Sequence, residues 1–560
     1  MIEDRLARLV QEALLAAASD LDLPEAPVTV EIIRPRAKEH GDYATNVALA
    51  LGPALGRSPR EVAGVIVEHL PPAGFVAKAE VAGPGFVNFF LAHPWLYEEL
   101  SEVQRLGPAY GRVDVGAGEL VQVEFVSTNP TGPLHVGHGR GAAVGDALAR
   151  LLEAAGYRVE REYYVNDAGG QAELFGASLE ARYLQHFGRK AEIPEGGYQG
   201  GYMADLAAEI AADHGEALLD LPAEERRARL GDEGIRRELT AIRATLERMD
   251  VRIDTWFHET TLRAEGRIEQ AIQLLKDREL AYEEDGAIWF RSTRFGDDKD
   301  RVLIRSNGEP TYFAADCAYL RDKFGRGFDR LIYVWGADHH GTVKRLQGAV
   351  QAYGYELDRV EFILYQLVNL YRGGEPVRMS KRTGDIITLD EVLDEVGPDA
   401  ARYTLLTRST DTTIDFDIEL VKSQTLENPV YYVQYAHARI ASILRYAEEQ
   451  GVAMEPFEKV RVEELVHQTE LDVLRKIAEL PEQIRFACEA RAPYRLTKYA
   501  EELAADFHRF YTECRVVTDD AELTQARLHL AAATRQVIAN VLAILGVSAP
   551  DTMDRLGGSE

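Results

Sequence analysis

The sequence predicts a multidomain α/β protein: a doubly wound, Rossmann-like parallel sheet carrying an insertion, preceded by an α+β domain and followed by an all-α helical bundle. Three observations predict it. A strand, a Gly/Pro-rich loop, an amphipathic helix and a second strand follow one another over residues 120–165, a βαβ unit that implies parallel pairing. Strand-like runs resume near residue 331 after a long charged helical stretch, so a segment is inserted between the two sheet halves. From about residue 388 onward the apolar periodicity is almost wholly helical.

The elements follow in order. Residues 1–112 read as the α+β domain: a helix over Arg5–Ala18, an alternating run Val28–Ile33, and strands Val76–Val81 and Phe86–Leu91 about the turn Gly83-Pro84-Gly85. Residues 113–387 hold the sheet, with strands Leu120–Val126 and Val159–Val165 flanking a loop at 127–141 and a helix over Ala142–Ala155. The insertion spans about 170–300, with helices Ala172–Phe187 and Ala223–Met249 and a hairpin at Asp285-Gly286. The sheet resumes with Leu331–Trp335 and Glu361–Leu370. Residues 388–560 form the helical region, opened by the capping box Thr388-Leu389-Asp390-Glu391.

Bulk properties exclude several classes. At 560 residues the chain is too long for one core. Its 46% hydrophobic and 28% charged residues suit a globular protein rather than a disordered one. No run approaches the roughly 18 consecutive apolar residues of a membrane helix. The opening Met1-Ile2-Glu3-Asp4-Arg5 carries acids where a secretory signal is basic. Cys317, Cys488 and Cys514 form no CxxC pair, which suits reduced thiols in a cytoplasm and no structural metal. A net charge of −29 has the wrong sign for binding nucleic acid by overall attraction, so any RNA contact must use local basic stripes.

The loop after the first sheet strand runs Ser127-Thr128-Asn129-Pro130-Thr131-Gly132-Pro133-Leu134-His135-Val136-Gly137-His138-Gly139-Arg140-Gly141. A following helix aims its N–H groups and positive dipole end at it, a ready anion site. His135 and His138 lie three apart, able to donate to phosphate oxygens from one side of a turn, and Gly137 lets a base or ribose approach the backbone. The same residues also meet a loose dinucleotide pattern, Gly137-x-Gly139-x-x-Ala142 with Glu160 or Glu162 downstream, or form a plain Gly-rich turn. A second motif, Val377-Arg378-Met379-Ser380-Lys381-Arg382-Thr383-Gly384-Asp385, follows the Glu361–Leu370 run as a basic loop.

His-Val-Gly-His in the first sheet half and Met-Ser-Lys in the second resemble the paired nucleotide motifs of class I aminoacyl-tRNA synthetases. Within that class the whole chain resembles the arginyl-tRNA synthetases. Gly41–Asn46, Gly83–Asn88, Ser127–His138, Tyr164–Gly169, Tyr312–Asp316 and Asn428–Arg439 carry the likeness. Two departures stand out: Arg378 replaces the first lysine of the second motif, and Val136 replaces an isoleucine.

The resemblance implies arginine activation by ATP and transfer to the 3′-terminal adenosine of arginine tRNA. It implies a catalytic role for His135, His138 and Lys381, and ATP contacts at Gly137, Gly139, Gly336, Asp338, Met379, Ser380 and Lys381. It implies arginine contacts at Glu124, Asn129, Tyr312 and Asp316, the last two being four apart on a helix and so on one face. Tyr431, Tyr435 and Arg439 would meet tRNA, with further arginines (Arg445, Arg475, Arg485, Arg491, Arg495) as a phosphate path, although an aromatic run at this spacing also suits a helix core. Magnesium would arrive with ATP, and the family expectation is a cytoplasmic monomer.

Overall fold

The computed structural model describes residues 2–23, 28–35, 37–377 and 387–553. The chain divides into two units: Met1–Gly111 with Arg439–Glu482 and Glu502–Ile538, and Arg112–Ala438 with Gln483–Glu501 and Ala539–Glu560.

In the first unit, β1 (Ile32–Ile33), β2 (Tyr43–Thr45), β3 (Val76–Ala82) and β4 (Phe86–Leu91) form an antiparallel sheet in the order β1-β2-β4-β3. Only the last two residues of the expected Val28–Ile33 run are strand. The helix Pro94–Leu106 buries Leu96, Leu100 and Val103 and packs against the helix Gln468–Ala478, while the Tyr97 hydroxyl donates to the Leu465 carbonyl at 3.0 Å. That apolar face needs a cover, and the N-terminal residues share a unit with two helical segments.

The second unit is built on a parallel sheet. Strands β5 (Leu120–Phe125), β6 (Arg158–Val165) and β7 (Thr255–His258) lie side by side. Next come β8 (Ala281–Glu284), β9 (Ala287–Phe290) and β10 (Arg301–Ile304), a separate antiparallel sheet whose β8–β9 turn is Asp285-Gly286, both at positive φ. Then β11 (Arg330–Gly336) and β12 (Val360–Tyr365) return to the other side of β5, giving the order β12-β11-β5-β6-β7. The order reverses between β5 and β11, and open α/β sheets bind ligands at the carboxyl ends of such a pair.

Three differences from the sequence reading have physical causes. The insertion is interrupted, because β7 falls within 170–300 yet pairs with β6 in the main sheet. The expected Glu361–Leu370 strand is two: β12 ends at Tyr365, and β13 (Val368–Arg372) joins β14 (Glu375–Pro376) and β15 (Ile414–Asp417) in another sheet. Thus the region after 388 is not wholly helical. The helix after β5 runs Val136–Ala154, starting six residues before the expected Ala142, because neighbours occupy the space beside its glycines. A Cβ on Gly145 would sit 2.1 Å from the Phe125 ring, and one on Gly141 would sit 2.6 Å from the Tyr365 hydroxyl.

The helix Ala521–Leu545 is long and apolar enough to cross a bilayer, with a mean hydropathy of 1.5 in its most apolar stretch, of which 67% is buried inside the protein. Leu528, Leu530, Val537, Val541 and Leu542 are fully buried there, which is the behaviour of a core helix.

Candidate active site

β5 leaves the sheet through two consecutive left-handed residues, Val126 (φ 67°) and Ser127 (φ 40°). A β-branched residue resists that conformation, so the turn persists because its surroundings hold it. Ser127 Oγ accepts from the Tyr164 amide at 3.1 Å, and the Tyr163 hydroxyl donates to the Thr128 carbonyl at 2.8 Å. From the helix Gly201–His214 of the insertion, the Tyr202 hydroxyl donates to the Thr131 carbonyl at 2.7 Å. Asn129 Nδ2 donates to Gln171 Oε1 at 2.6 Å.

The loop ends at His135, the N-cap of the helix Val136–Ala154. His135 Nδ1 accepts from the Gly137 amide at 3.1 Å, and the His135 amide donates to His138 Nδ1 at 3.3 Å. The two rings stack with centroids 3.6 Å apart. Because each Nδ1 accepts from a backbone amide, each neutral ring carries its proton on Nε2. Two imidazole donors and a helix N-terminus therefore combine in one anion site. Gly137 is partly exposed beside them. Gly139 is buried, and a Cβ there would meet Leu389 at 2.9 Å, so its smallness serves helix packing.

Leu389 and Thr388 meet the loop that carries the histidines. The Leu389 amide donates to the Leu134 carbonyl at 2.7 Å, and Thr388 pairs with His135 as an isolated bridge. The stretch carrying Arg378, Met379, Ser380 and Lys381 lies outside the described residues, but the chain re-enters beside the histidines. The helix Leu389–Val396 opens with the expected Thr388/Glu391 capping box. Asp390 and Asp394 on it bind Arg248, at the end of the insertion's helix Ala223–Arg248. At the carboxyl end of β11, a Cβ on Gly336 would fall 2.5 Å from Asp338 Oδ1, and Asp338 itself is largely exposed.

The helix Tyr312–Gly325 is capped by Thr311 and presents Tyr312, 48% exposed, and Asp316 one turn deeper. Asp316 makes no hydrogen bond or ion pair with any described residue. Burial, then Glu124 and Glu259, push its carboxyl up to about 7 against the pull of Lys323 and Arg345. Glu259 follows β7 and is 1% exposed, taking Arg263 Nη2 on Oε1 at 2.8 Å and the Tyr164 hydroxyl on Oε2 at 3.0 Å. Glu124, implied as an arginine contact, receives the Nζ of the fully buried Lys323 on its Oε2. A recess of 320 Å³ opens beside Tyr312, lined also by Gly169, Gly170, Arg263 and Arg305. Glu259, Lys323 and Tyr202 were not singled out from sequence, and Tyr164 was named only within the Tyr164–Gly169 likeness. An acid just past the carboxyl end of a parallel strand was a usable signal for Glu259.

In the helical segments Tyr431 is 6% exposed and stacks at 6.1 Å on Tyr435, so the core reading applies to Tyr431. Arg439 donates to the Tyr511 hydroxyl at 3.1 Å and lies over its ring. The expected arginine path is interrupted by local partners, because Arg491 grips Glu361 with two bonds and Arg475 pairs with Asp472.

Stacked histidines capping a helix at the switch point of a parallel sheet are the arrangement expected of a class I synthetase catalytic domain. Comparison with known proteins agrees. The class I (R) tRNA synthetase catalytic domain matches residues 109–441, the arginyl-tRNA synthetase N-terminal domain 4–91, and the DALR anticodon-binding domain 433–553. An arginine–tRNA ligase of Moorella thermoacetica is 50% identical over 552 residues, 98% of each chain. One from Carboxydothermus hydrogenoformans is 49% identical over 529 residues, 94% of this chain and 95% of its own. The solved arginyl-tRNA synthetase of Thermus thermophilus shares the fold, with a TM-score of 0.76 at 24% identity over 99% of this chain and 100% of its own. The chain belongs to the arginine–tRNA ligase family.

Proposed function

We propose that the chain activates L-arginine with ATP to give arginyl-adenylate and pyrophosphate, then transfers the arginyl group to the 3′-terminal adenosine of arginine tRNA, releasing AMP. The observation that carries the substrate is Asp316, a carboxylate without a hydrogen-bonded partner among the described residues, on the face that also presents Tyr312. A guanidinium is a planar fork of five donors that never deprotonates, and it satisfies such a carboxylate by charge-assisted bonds. Lysine or citrulline would leave charge or donors unmatched, which is how a polar pocket discriminates.

In this reading Asp316 takes the guanidinium, Tyr312 covers it, and Asn129 holds the α-amino end. The carboxylate of arginine then attacks the α-phosphorus while the Nε2 protons of His135 and His138, with the helix N-terminus, bind the phosphate chain. Lys381, with Met379 and Ser380, neutralises charge growing on the departing pyrophosphate. Gly137 and Gly336 admit the adenosine, and Asp338 meets its ribose. Phosphoryl chemistry of this kind needs positioning and charge neutralisation more than a covalent nucleophile. Magnesium enters as the counter-ion of ATP.

The domains at 1–112 and 388–560 would hold tRNA, with Tyr435 and Arg439 as contacts, and the protein would work as a cytoplasmic monomer. The test is aminoacylation of total tRNA with each radiolabelled amino acid in turn, with ATP and magnesium. Charging with arginine alone is the expected result; charging with another amino acid overturns the pocket assignment, and no charging overturns the activity.

A further inference from the structure

One face of the helix Tyr312–Gly325 carries Tyr312, Asp316, Tyr319 and Lys323 at helical spacing. The stripe runs from an exposed phenol to an ammonium with no exposure at all. A buried ammonium is strongly unfavourable without partners, and Lys323 has three. It binds the Glu124 carboxylate and lies over the rings of Tyr319 and Tyr333, 4.2 and 3.8 Å from their centroids. Behind it the Tyr319 hydroxyl bonds Glu162, which also receives both ends of the Arg326 guanidinium. None of the chemistry above uses this lysine. An ion pair tying helix to sheet would account for its burial, but not for its place on the same helix face as Tyr312 and Asp316.

The place matters because of what surrounds Asp316. Facing it are Glu124 from β5, Tyr164 from β6, Glu259 after β7, Tyr333 from β11, Arg345 from the helix His340–Ala352, and Lys323 on its own helix. Glu259 is engaged by Arg263 and Tyr164. If Glu124 were not engaged, it would compete with Asp316 both for a proton and for the guanidinium. We propose that Lys323 is a specificity-setting positioning residue: it commits Glu124 to an internal ion pair, so that Asp316 is the carboxylate that takes the arginine side chain. The inference rests on the reading that Asp316 binds that side chain. A guanidinium drawn instead toward Glu124 would carry the reacting carboxylate away from the α-phosphate.

The test compares the full-length chain with Lys323→Met and with the double variant Lys323→Met/Glu124→Gln, which removes both charges at little change in volume. Arginine KM, ATP KM and kcat for tRNA charging are measured from pH 6 to 9. Lys323→Met is expected to raise the arginine KM by about tenfold or more and to shift the acid limb of kcat/KM for arginine to higher pH, with the ATP KM within about twofold. The double variant is expected to return the arginine KM to within about threefold of the parent. An unchanged arginine KM and pH profile in Lys323→Met would show a merely structural pair. A double variant that stays tenfold worse would show that Glu124 itself holds arginine. If Lys323→Met does not fold, the double variant decides by the same thresholds. Asp316→Asn is run alongside: an unaffected arginine KM there removes the underlying reading, whereas a raised one with a normal Lys323→Met removes this inference alone.

Discussion

A buried carboxylate and a half-buried one in the same unit have opposite surroundings. Asp146, on the helix Val136–Ala154, is fully buried and faces three guanidinium groups: Arg150 at 2.7 Å, Arg161 at 3.4 Å and Arg402. Burial pushes its carboxyl up, but Arg402, Arg150 and Arg161 together hold it below the ordinary range. Arg402 then bonds the carbonyls of Leu545 at 2.6 Å and Met249 at 2.8 Å, joining the helix Pro398–Leu406 to two other segments. Asp316 has the reverse: acids around it, no cation bonded to it among the described residues, and a carboxyl pushed up to about 7. A carboxylate over-supplied with cations is a structural clamp, whereas one left short of them is a candidate for a cationic ligand, the role proposed for Asp316.

The comparison breaks most visibly at Asp316. Asp316→Ala should lower kcat/KM for arginine about a thousandfold, about 4 kcal/mol, with the ATP KM and melting temperature little changed; steady-state charging assays and a thermal melt check this. Arg402→Met should do the opposite, removing about 3–5 kcal/mol of stability in denaturant titrations while the arginine KM of the folded protein holds. A smaller effect sharpens the picture at the other end of the site. Tyr202→Phe removes the hydroxyl that grips the Thr131 carbonyl and should raise the ATP KM about fivefold, near 1 kcal/mol, without altering arginine recognition.

Much of this contrast was legible in the sequence, and the rest had particular reasons not to be. The βαβ unit, the β8–β9 turn and the Thr388 capping box carry local signals, and each appears where its signal lies. Tyr312 and Asp316 were legible because helical spacing put them on one face. The start of the helix Val136–Ala154 was hidden because Gly137, Gly139 and Gly141 look like loop, whereas Leu389 and Tyr365, distant in sequence, need the space of the last two. Lys323 reads as an ordinary lysine in the last turn of a helix, where it suits the dipole; only the packing of β5 and β11 shows it buried. Glu259 has no motif around it, and β7 was read as part of the insertion because four residues give too short a periodicity.

The central claim is that Asp316 holds a proton near neutrality until a guanidinium arrives. A raised carboxyl is about half protonated at pH 7, and a bound cation stabilises the charged form, so arginine binding must release that proton. Calorimetric titration of arginine into the protein at pH 7, in two buffers of different ionisation heat, measures this directly. Net proton release is expected in the parent and none in Asp316→Asn. Equal buffer dependence in both proteins, or none in the parent, would contradict it.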